Sequence, residues 1–147
     1  MITTVYSAIK SSIATTLGTD YDELTHVFDI SKNRFSGASK RYGLVPASAN
    51  ETAGETQSNT YLQGFRIILT DSYISDALSD SELITKTLAL IEKTEYIFKN
   101  LVIQKCGSPL YVQNVLHMAV DSSVIAKEDK VIVVEASFDV RMKVQFL

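Results

Sequence analysis

The end of the chain carries the pattern that most constrains the fold. Apolar side chains fill every even position of the segment 132–146, while polar and charged side chains fill most of the odd positions. This side-chain period of two predicts a β-strand with one buried face and one exposed face. The apolar positions are Ile132, Val134, Ala136, Phe138, Val140, Met142, Val144 and Phe146.

The length of this strand has a second consequence. At about 3.3 Å per residue it would span about 50 Å, which exceeds the diameter of a small domain. We therefore expect the strand either to bend at a bulge or to extend beyond its own core and pair with another subunit. The second option predicts an oligomer, and the candidate residues for the subunit interface are Arg141, Lys143, Gln145 and Phe146.

Two segments have the periodicity of amphipathic helices. In residues 3–17 an apolar side chain recurs at every fourth position, and Gly18 follows where glycine commonly ends a helix. In residues 80–99 the apolar side chains recur at helical spacing, and Ser79 and Glu82 have the spacing of a capping box. We expect both helices to pack on the apolar face of a sheet.

Three further segments predict strands, namely residues 25–30, 61–69 and 110–120. The segments 71–78 and 121–130 are interpreted as connections. Gly64 is interpreted as the site of a bulge. Gln63 and Asn114 interrupt the apolar alternation of their strands, and each could mark a bulge or line a pocket.

Residues 31–60 are rich in Ser, Thr, Asn, Gly and Ala and predict a long mobile loop. Only residues 41–45 have strand-like character, and we expect Pro46 to end it. The order of elements predicts an α+β fold in a single domain, 1–147. Its core would be a single mixed or mainly antiparallel sheet with two helices packed on one face.

Charge and cysteine content exclude several classes of protein. Fourteen basic and 17 acidic residues give a net charge of −3, which argues against a dedicated nucleic-acid-binding protein. The one cysteine, Cys106, cannot form an intrachain disulfide. We expect neither a signal peptide nor a membrane-spanning segment, because no apolar run has the required length.

One basic cluster stands out against this acidic background. Lys32, Arg34, Lys40 and Arg41 carry four positive charges within ten residues, and Phe35 and Tyr42 are interleaved with them. Basic and aromatic side chains together can contact a nucleic-acid backbone and stack on bases. The alternatives are a solvated basic loop and a salt bridge to another subunit. The candidates for docking a partner are Lys32, Arg34, Lys40, Arg41 and Tyr42.

The chain lacks a recognisable catalytic, cofactor or metal motif. Cys106 and His117 could form a thiol–base pair, but no local signature surrounds either residue. Asp20, Asp22 and Glu23 could bind calcium, although the pattern lacks the central glycine of an EF-hand loop. We therefore predict that the chain is not an enzyme and that it requires no cofactor or metal.

The layout of the whole chain resembles the tail-terminator and neck proteins of tailed bacteriophages. A short amphipathic helix (TTVYSAIKSSIATTLG) opens it, and a strand-like KRYGLVP leads into a low-complexity segment (ASANETAGETQSNT). A strand and a helix follow (YLQGFRIILTD and DSELITKTLALIEKTEYIFKN), and a long amphipathic strand (KVIVVEASFDVRMKVQFL) closes the chain.

The resemblance implies a structural role in the virion. Such proteins form a ring, often hexameric, at the head-proximal end of the tail tube, where they stop tube polymerisation and join the tube to the neck. The implied partners are further copies of the chain, the tail tube protein and neck or connector proteins, with transient contact to passing DNA and none with a membrane. The implied location is the tail or neck of the virion, after synthesis in the host cytoplasm. The basic cluster would then face the lumen or a docking partner.

Two alternatives remain open. One is another phage head–tail connector or a tail-tube subunit, which would assemble indefinitely rather than stop at one ring. The other is a small α+β ligand-binding domain or enzyme with a pocket between the sheet and the helix 80–99. That alternative predicts polar groups on the buried faces.

Overall fold

The computed structural model describes residues 2–35, 39–51, 60–74, 78–104, 112–125 and 129–143. Within these ranges two α-helices and five strands follow one another, and short 3₁₀ turns at Gly18–Asp20 and Ile30–Lys32 lie between the first elements. The elements are α1 (Ile2–Leu17), β1 (Asp22–Glu23), β2 (Ser39–Glu51), β3 (Thr60–Ile74), α2 (Asp80–Gln104), β4 (Val112–Ile125) and β5 (Asp129–Lys143).

The described strands form one mixed sheet in the order β1-β2-β3-β5-β4. The two-residue β1 runs parallel to β2, and all the other neighbours are antiparallel. Both helices pack on the same face of the sheet. The α+β fold with one mixed sheet and two helices on one face is therefore confirmed.

The strand with the clearest alternation, β5, lies inside the sheet rather than at its edge. It pairs with β3 from Asp129 to Lys143 and with β4 from Val131 to Met142. Its long neighbours satisfy the backbone groups that we expected another subunit to pair, so the prediction of a free β5 edge is wrong for the described residues. The strand needs no sharp bend, because β3 and β4 are almost equally long.

The even-numbered face of β5 forms the centre of the core. Ile132, Val134, Ala136, Phe138, Val140 and Met142 are all buried. Complete burial of a large apolar side chain stabilises a fold by about 1.5–3 kcal/mol. The gross contribution of this one face is therefore comparable with the whole net stability of a small domain, about 5–15 kcal/mol.

A chain of aromatic rings connects both helices to this face. Phe138 of β5 stacks on Phe65 of β3 with 5.8 Å between the ring centroids. Phe98 of α2 and Phe138 form an edge-to-face pair with 6.4 Å between their centroids. Tyr6 of α1 lies 6.4 Å from Phe65, and its hydroxyl donates a hydrogen bond to the carbonyl oxygen of Leu44 in β2. The sheet thus holds α1 above β2 and β3, and α2 above β5.

The opposite face of the sheet is also covered at one end, a feature that the sequence patterns did not predict. In the segment after β1, the side chains of Leu24, Val27 and Phe35 pack in a second apolar cluster on this face. The sheet side of that cluster consists of Val45, Ile68, Val131 and Val133. Apolar side chains on both parities at 131–134 were the signal for this burial on two faces.

Three boundary predictions are wrong. Of the predicted loop 31–60, residues 39–51 form β2, and residues 36–38 and 52–59 lie outside the described part. The predicted connection 71–78 begins with the last four residues of β3. The predicted connection 121–130 contains the C-terminal end of β4 and the first two residues of β5. The polar composition of these segments predicted loops or connections. Pairing with a long neighbouring strand nevertheless extends each strand beyond its apolar stretch.

Residues 25–30 do not form the predicted strand. They form an irregular segment that enters the 3₁₀ turn Ile30–Lys32, and β1 is confined to Asp22–Glu23. In place of a neighbouring strand, the side chain of Asn33 provides hydrogen-bond partners to this backbone. It donates to the carbonyl oxygens of His26 and Ile30 and accepts from the amide of His26.

Both interruptions of strand alternation coincide with bulges. β2 has a register shift between Pro46 and Ala49, and the buried Gln63 of β3 donates a hydrogen bond to the Ala47 carbonyl oxygen there. Pro46 does not end β2, because proline is tolerated in an edge strand beside a bulge. β4 has a register shift between Val112 and Asn114. The irregularity of β2 lies opposite Gly64, where a bulge was predicted, because Phe65 pairs with Pro46 while Gln63 pairs with Ala49. On the β5 side the register is continuous across Gly64.

The predicted ends of α1 and the predicted start of α2 agree with the structure to within one residue, whereas α2 continues to Gln104, beyond its predicted end at residue 99. Gly18 follows α1 with φ of +74°, a conformation that favours glycine. At the start of α2 the amide of Ser79 donates to the Glu82 carboxylate, and the amide of Glu82 donates to the Ser79 hydroxyl. The capping box is therefore confirmed.

Gly43 tests how closely the segment after β1 packs on the sheet. A Cβ atom at Gly43 would lie 2.7 Å from Cγ1 of Val27 and 3.3 Å from Cδ1 of Leu24. We expect Gly43→Ala to lower the free energy of unfolding by about 1–3 kcal/mol, the usual cost of overpacking. Urea denaturation would measure the loss.

The matched control is Val27→Ala in the Gly43→Ala background. Removal of Cγ1 opens the contested space, so the double variant should regain part of the stability that Gly43→Ala loses. Strictly additive losses in this double-mutant cycle would contradict the close approach.

Candidate functional site

The fold divides the predicted basic cluster between the two faces of the sheet. Lys40 and Tyr42 lie on the helix-bearing side of β2, where Tyr42 packs against the main core. Arg41 points to the opposite face, where its guanidinium lies 5.2 Å from the centroid of the Phe35 ring. Adjacent residues of a strand alternate in direction, so residues 40 and 41 cannot contribute to one surface.

Lys32 and Arg34 lie with Arg41 rather than with Lys40. Lys32 ends the 3₁₀ turn beside the second apolar cluster, and both Lys32 and Arg34 are exposed. The structure thus brings together three of the five docking candidates on one side. Lys40 and Tyr42 belong to a different surface.

A cleft of about 430 Å³ lies on the helix-bearing side, between the end of α1, α2 and the sheet. Its charged lining is balanced, with three lysines and three acidic residues. The lining residues are Leu17, Asp20, Tyr21, Lys40, Asp71, Lys86, Ala89, Leu90, Glu92, Lys93 and Tyr96. A pocket between the sheet and this helix was the expectation of the ligand-binding alternative.

Asp71 is the buried charge of this cleft. It is 5% exposed, and its Oδ2 accepts from the ammonium group of Lys86 at 3.4 Å. Burial raises the pKa of the Tyr21 hydroxyl, and the negative charges of Asp71 and Asp20 raise that pKa further. Lys40 lies 5.8 Å from the centroid of the Tyr21 ring.

The candidates for a subunit interface at the end of β5 are only partly within the described residues. Arg141 is half-buried on the face opposite the helices. Lys143 is the last residue of β5, and Gln145 and Phe146 lie outside the described part of the chain. The edge strand on this side of the sheet is β4 rather than β5.

Helix α2 carries a second apolar stripe that the core does not use. Ile84, Leu88 and Val102 are 60%, 54% and 43% exposed. Their spacing places them on one flank of α2, about half a turn from Lys86 and Lys93, which line the cleft towards α1. We call Ile84, Leu88 and Val102 the α2 stripe.

The segment after β1 presents a second exposed apolar side chain. Phe28 is 79% exposed, although its neighbours Leu24 and Val27 pack on the sheet. Phe28 borders a shallow depression of about 270 Å³ formed by residues 25–29 and Lys32. We call residues 25–32 the Phe28 loop.

Within the described part of the chain, the residues considered for calcium binding do not form a metal centre. Glu23 forms an ion pair with Lys10, which raises the pKa of that ammonium group. Cys106 lies outside the described residues, and His117 lies in β4 at a register shift. Within the described ranges, no group of three or more His, Cys, Asp or Glu residues is placed to hold a metal ion.

Comparison with protein-family models and with curated protein sequences gave no match. Neither α1 nor α2, as far as they are described, is long and apolar enough to cross a membrane.

The electrostatic coupling in the cleft can be measured. We expect Asp71→Asn to lower the pKa of Tyr21 towards its ordinary value of 10.0 without reaching it, since burial is the larger cause of the shift. An NMR titration of ¹³Cζ-labelled tyrosine would follow this change, with Tyr21→Phe to assign the resonance.

The same shift predicts a pH dependence of stability. A tyrosine pKa that is raised on folding stabilises the fold fully below the pKa of the unfolded chain, and this stabilisation is lost as the pH rises through the folded value. Tyr21→Phe should therefore flatten the loss of stability above pH 10. Glu135→Gln is the control, because Glu135 lies on the opposite face near Arg66. An unchanged Tyr21 pKa in Asp71→Asn would contradict the coupling.

Proposed function

We propose that the chain is a structural virion protein, a tail terminator that forms a homo-oligomeric ring at the head-proximal end of a phage tail tube and joins the tube to the neck. The family resemblance of the sequence suggests this role. The main support for self-assembly is the presence of two exposed apolar surfaces, the α2 stripe and the Phe28 loop. Groups of exposed apolar side chains commonly mark protein interfaces.

The two surfaces lie on opposite faces of the sheet. The α2 stripe belongs to the helix-bearing face, on the flank of α2 away from α1, whereas the Phe28 loop covers the other face beside β2. Surfaces placed in this way can join one copy to the next without using either surface twice. This arrangement supports a ring and replaces the expected β5 edge as the structural argument for it.

The basic residues would serve the ring from two separate places. Lys32, Arg34 and Arg41 would form one docking surface, and Lys40 and Tyr42 would contribute to another at the mouth of the cleft. Contact with passing DNA would be transient, because the chain as a whole has a net charge of −3.

The mass of the purified protein tests the proposal first. Light scattering should detect a closed oligomer, and negative-stain images should show rings of one size. Tubes that grow without limit would instead indicate a tail-tube subunit. If the protein is monomeric in solution, we expect it to form rings on tail tubes of the virus that encodes it. A monomer that fails to cap such tubes would refute the proposal.

The cleft supports a second candidate, a small ligand-binding domain. Its volume falls within the range of known ligand pockets, about 300–1,000 Å³, and it contains the buried Asp71–Lys86 pair. Inorganic phosphate and acetate are simple probes of its lysines. Saturable shifts of the Lys86 and Lys93 ammonium NMR signals, lost in Lys86→Met, would favour this candidate over a purely structural role.

A further inference from the structure

Internal hydrogen bonds restrain the backbone of the Phe28 loop. The buried Asn33 side chain makes three hydrogen bonds to the backbone of His26 and Ile30. The carboxylate of Asp29 accepts from the amide of Ser31 at the start of the 3₁₀ turn. A loop with this many internal restraints loses little conformational entropy when it binds a partner.

Within this restrained loop, Phe28 is the side chain that the fold leaves outside. Val27 on one side and Ile30 on the other pack against the second apolar cluster, whereas Phe28 is 79% exposed. A rigid loop that projects one aromatic ring has the form of an interface anchor, since aromatic side chains dominate binding hot spots. Lys32 and Arg34 are exposed beside it and supply positive charge.

The α2 stripe has the complementary character. It presents aliphatic side chains, and Glu95 lies between Leu88 and Val102 on the same flank of the helix. Glu95 is exposed, as is Glu92 at the margin of the stripe. A carboxylate inside an apolar contact requires a cation from the partner surface, because burial of an unpaired charge is costly.

We propose that the Phe28 loop of one copy of this chain packs on the α2 stripe of the next copy. Phe28 would cover Leu88 and its aliphatic neighbours, and Lys32 or Arg34 would approach Glu95. This inference rests on the proposed ring and names the contact that builds it. The occupant of each surface is therefore a second copy of the same chain, chosen by apolar and charge complementarity.

The contact is head-to-tail, which has a consequence for the assembly. Each copy uses two different surfaces, so contacts repeat from subunit to subunit and produce a ring when the rotation closes. An isologous pairing of two α2 stripes fits the charges less well. It would bring two Glu95 side chains into one apolar contact, where Lys99, one turn along the helix, is the nearest cation in the described part of α2.

Two variants that each disable one surface test this contact. Phe28→Glu damages the loop and leaves the stripe intact, whereas Leu88→Glu damages the stripe and leaves the loop intact. Each should raise the protein concentration at half-assembly by about 30-fold or more, the loss typical of a hot-spot side chain. Both residues are exposed, and circular dichroism with thermal unfolding should confirm that both variants fold.

Matched controls separate the contact from general effects of substitution. Ser7→Glu introduces the same charge at an exposed position of α1, outside the cleft and outside both surfaces, and should assemble like the parent protein. Phe28→Leu keeps an apolar side chain at the loop and should assemble with at most a small loss.

The decisive measurement is a mixture of Phe28→Glu with Leu88→Glu. Each variant keeps the surface that the other lacks, so the mixture should form a one-to-one heterodimer that cannot grow, detectable by light scattering or native mass spectrometry. If the parent protein assembles and Phe28→Glu assembles equally well, the contact is wrong while the ring proposal stands. If the parent assembles and the mixture stays monomeric, the head-to-tail arrangement is wrong. A parent that assembles neither alone nor on tail tubes refutes both proposals.

Discussion

Burial of the apolar face of β5 holds both helices and the neighbouring strands in place. Its even-numbered side chains are buried beneath both helices, and Phe138 lies between Phe65 of β3 and Phe98 of α2. A strand with one fully buried face has a strongly specified register, since a slip of one residue would move every apolar side chain to the other face. The pairing of β3 and β4 with β5 is therefore fixed by the same side chains that hold the helices.

The central position of β5 also determines where the protein can interact. Strands β3 and β4 cover both of its backbone edges, so the edge positions of the described sheet fall to β4 and to the β1–β2 side. Register shifts interrupt β2 and β4, and bulges of this kind discourage open-ended pairing between sheet edges. The remaining means of association are side chains, and the exposed apolar ones that we propose to associate lie on α2 and on the Phe28 loop.

Charged residues that are neighbours in the sequence lie on different surfaces of the folded protein. Lys40 and Arg41 are neighbours in sequence, yet one lies above Tyr21 at the cleft and the other above Phe35 on the opposite face. Asp71 was expected in a connection, yet it belongs to β3 and meets Lys86 of α2 inside the cleft. The charged side chains that interact belong to elements distant in sequence. Clusters of charge along the sequence therefore do not reveal these contacts.

Local sequence patterns were sufficient to predict both helices, the ends of α1, the start of α2 and the buried face of β5. Each of these follows from a local period, a cap or a glycine, which neighbouring residues specify without help from the rest of the chain. The order of the strands, the length of β2 and the cover over the second face of the sheet depend on contacts between distant segments and are visible only in the folded protein. Polar residues 39–51 form a strand because β3 offers a long partner, and Phe28 is exposed because Asn33 holds its loop. Long-range pairing decides such features, and the local sequence carries little information about it.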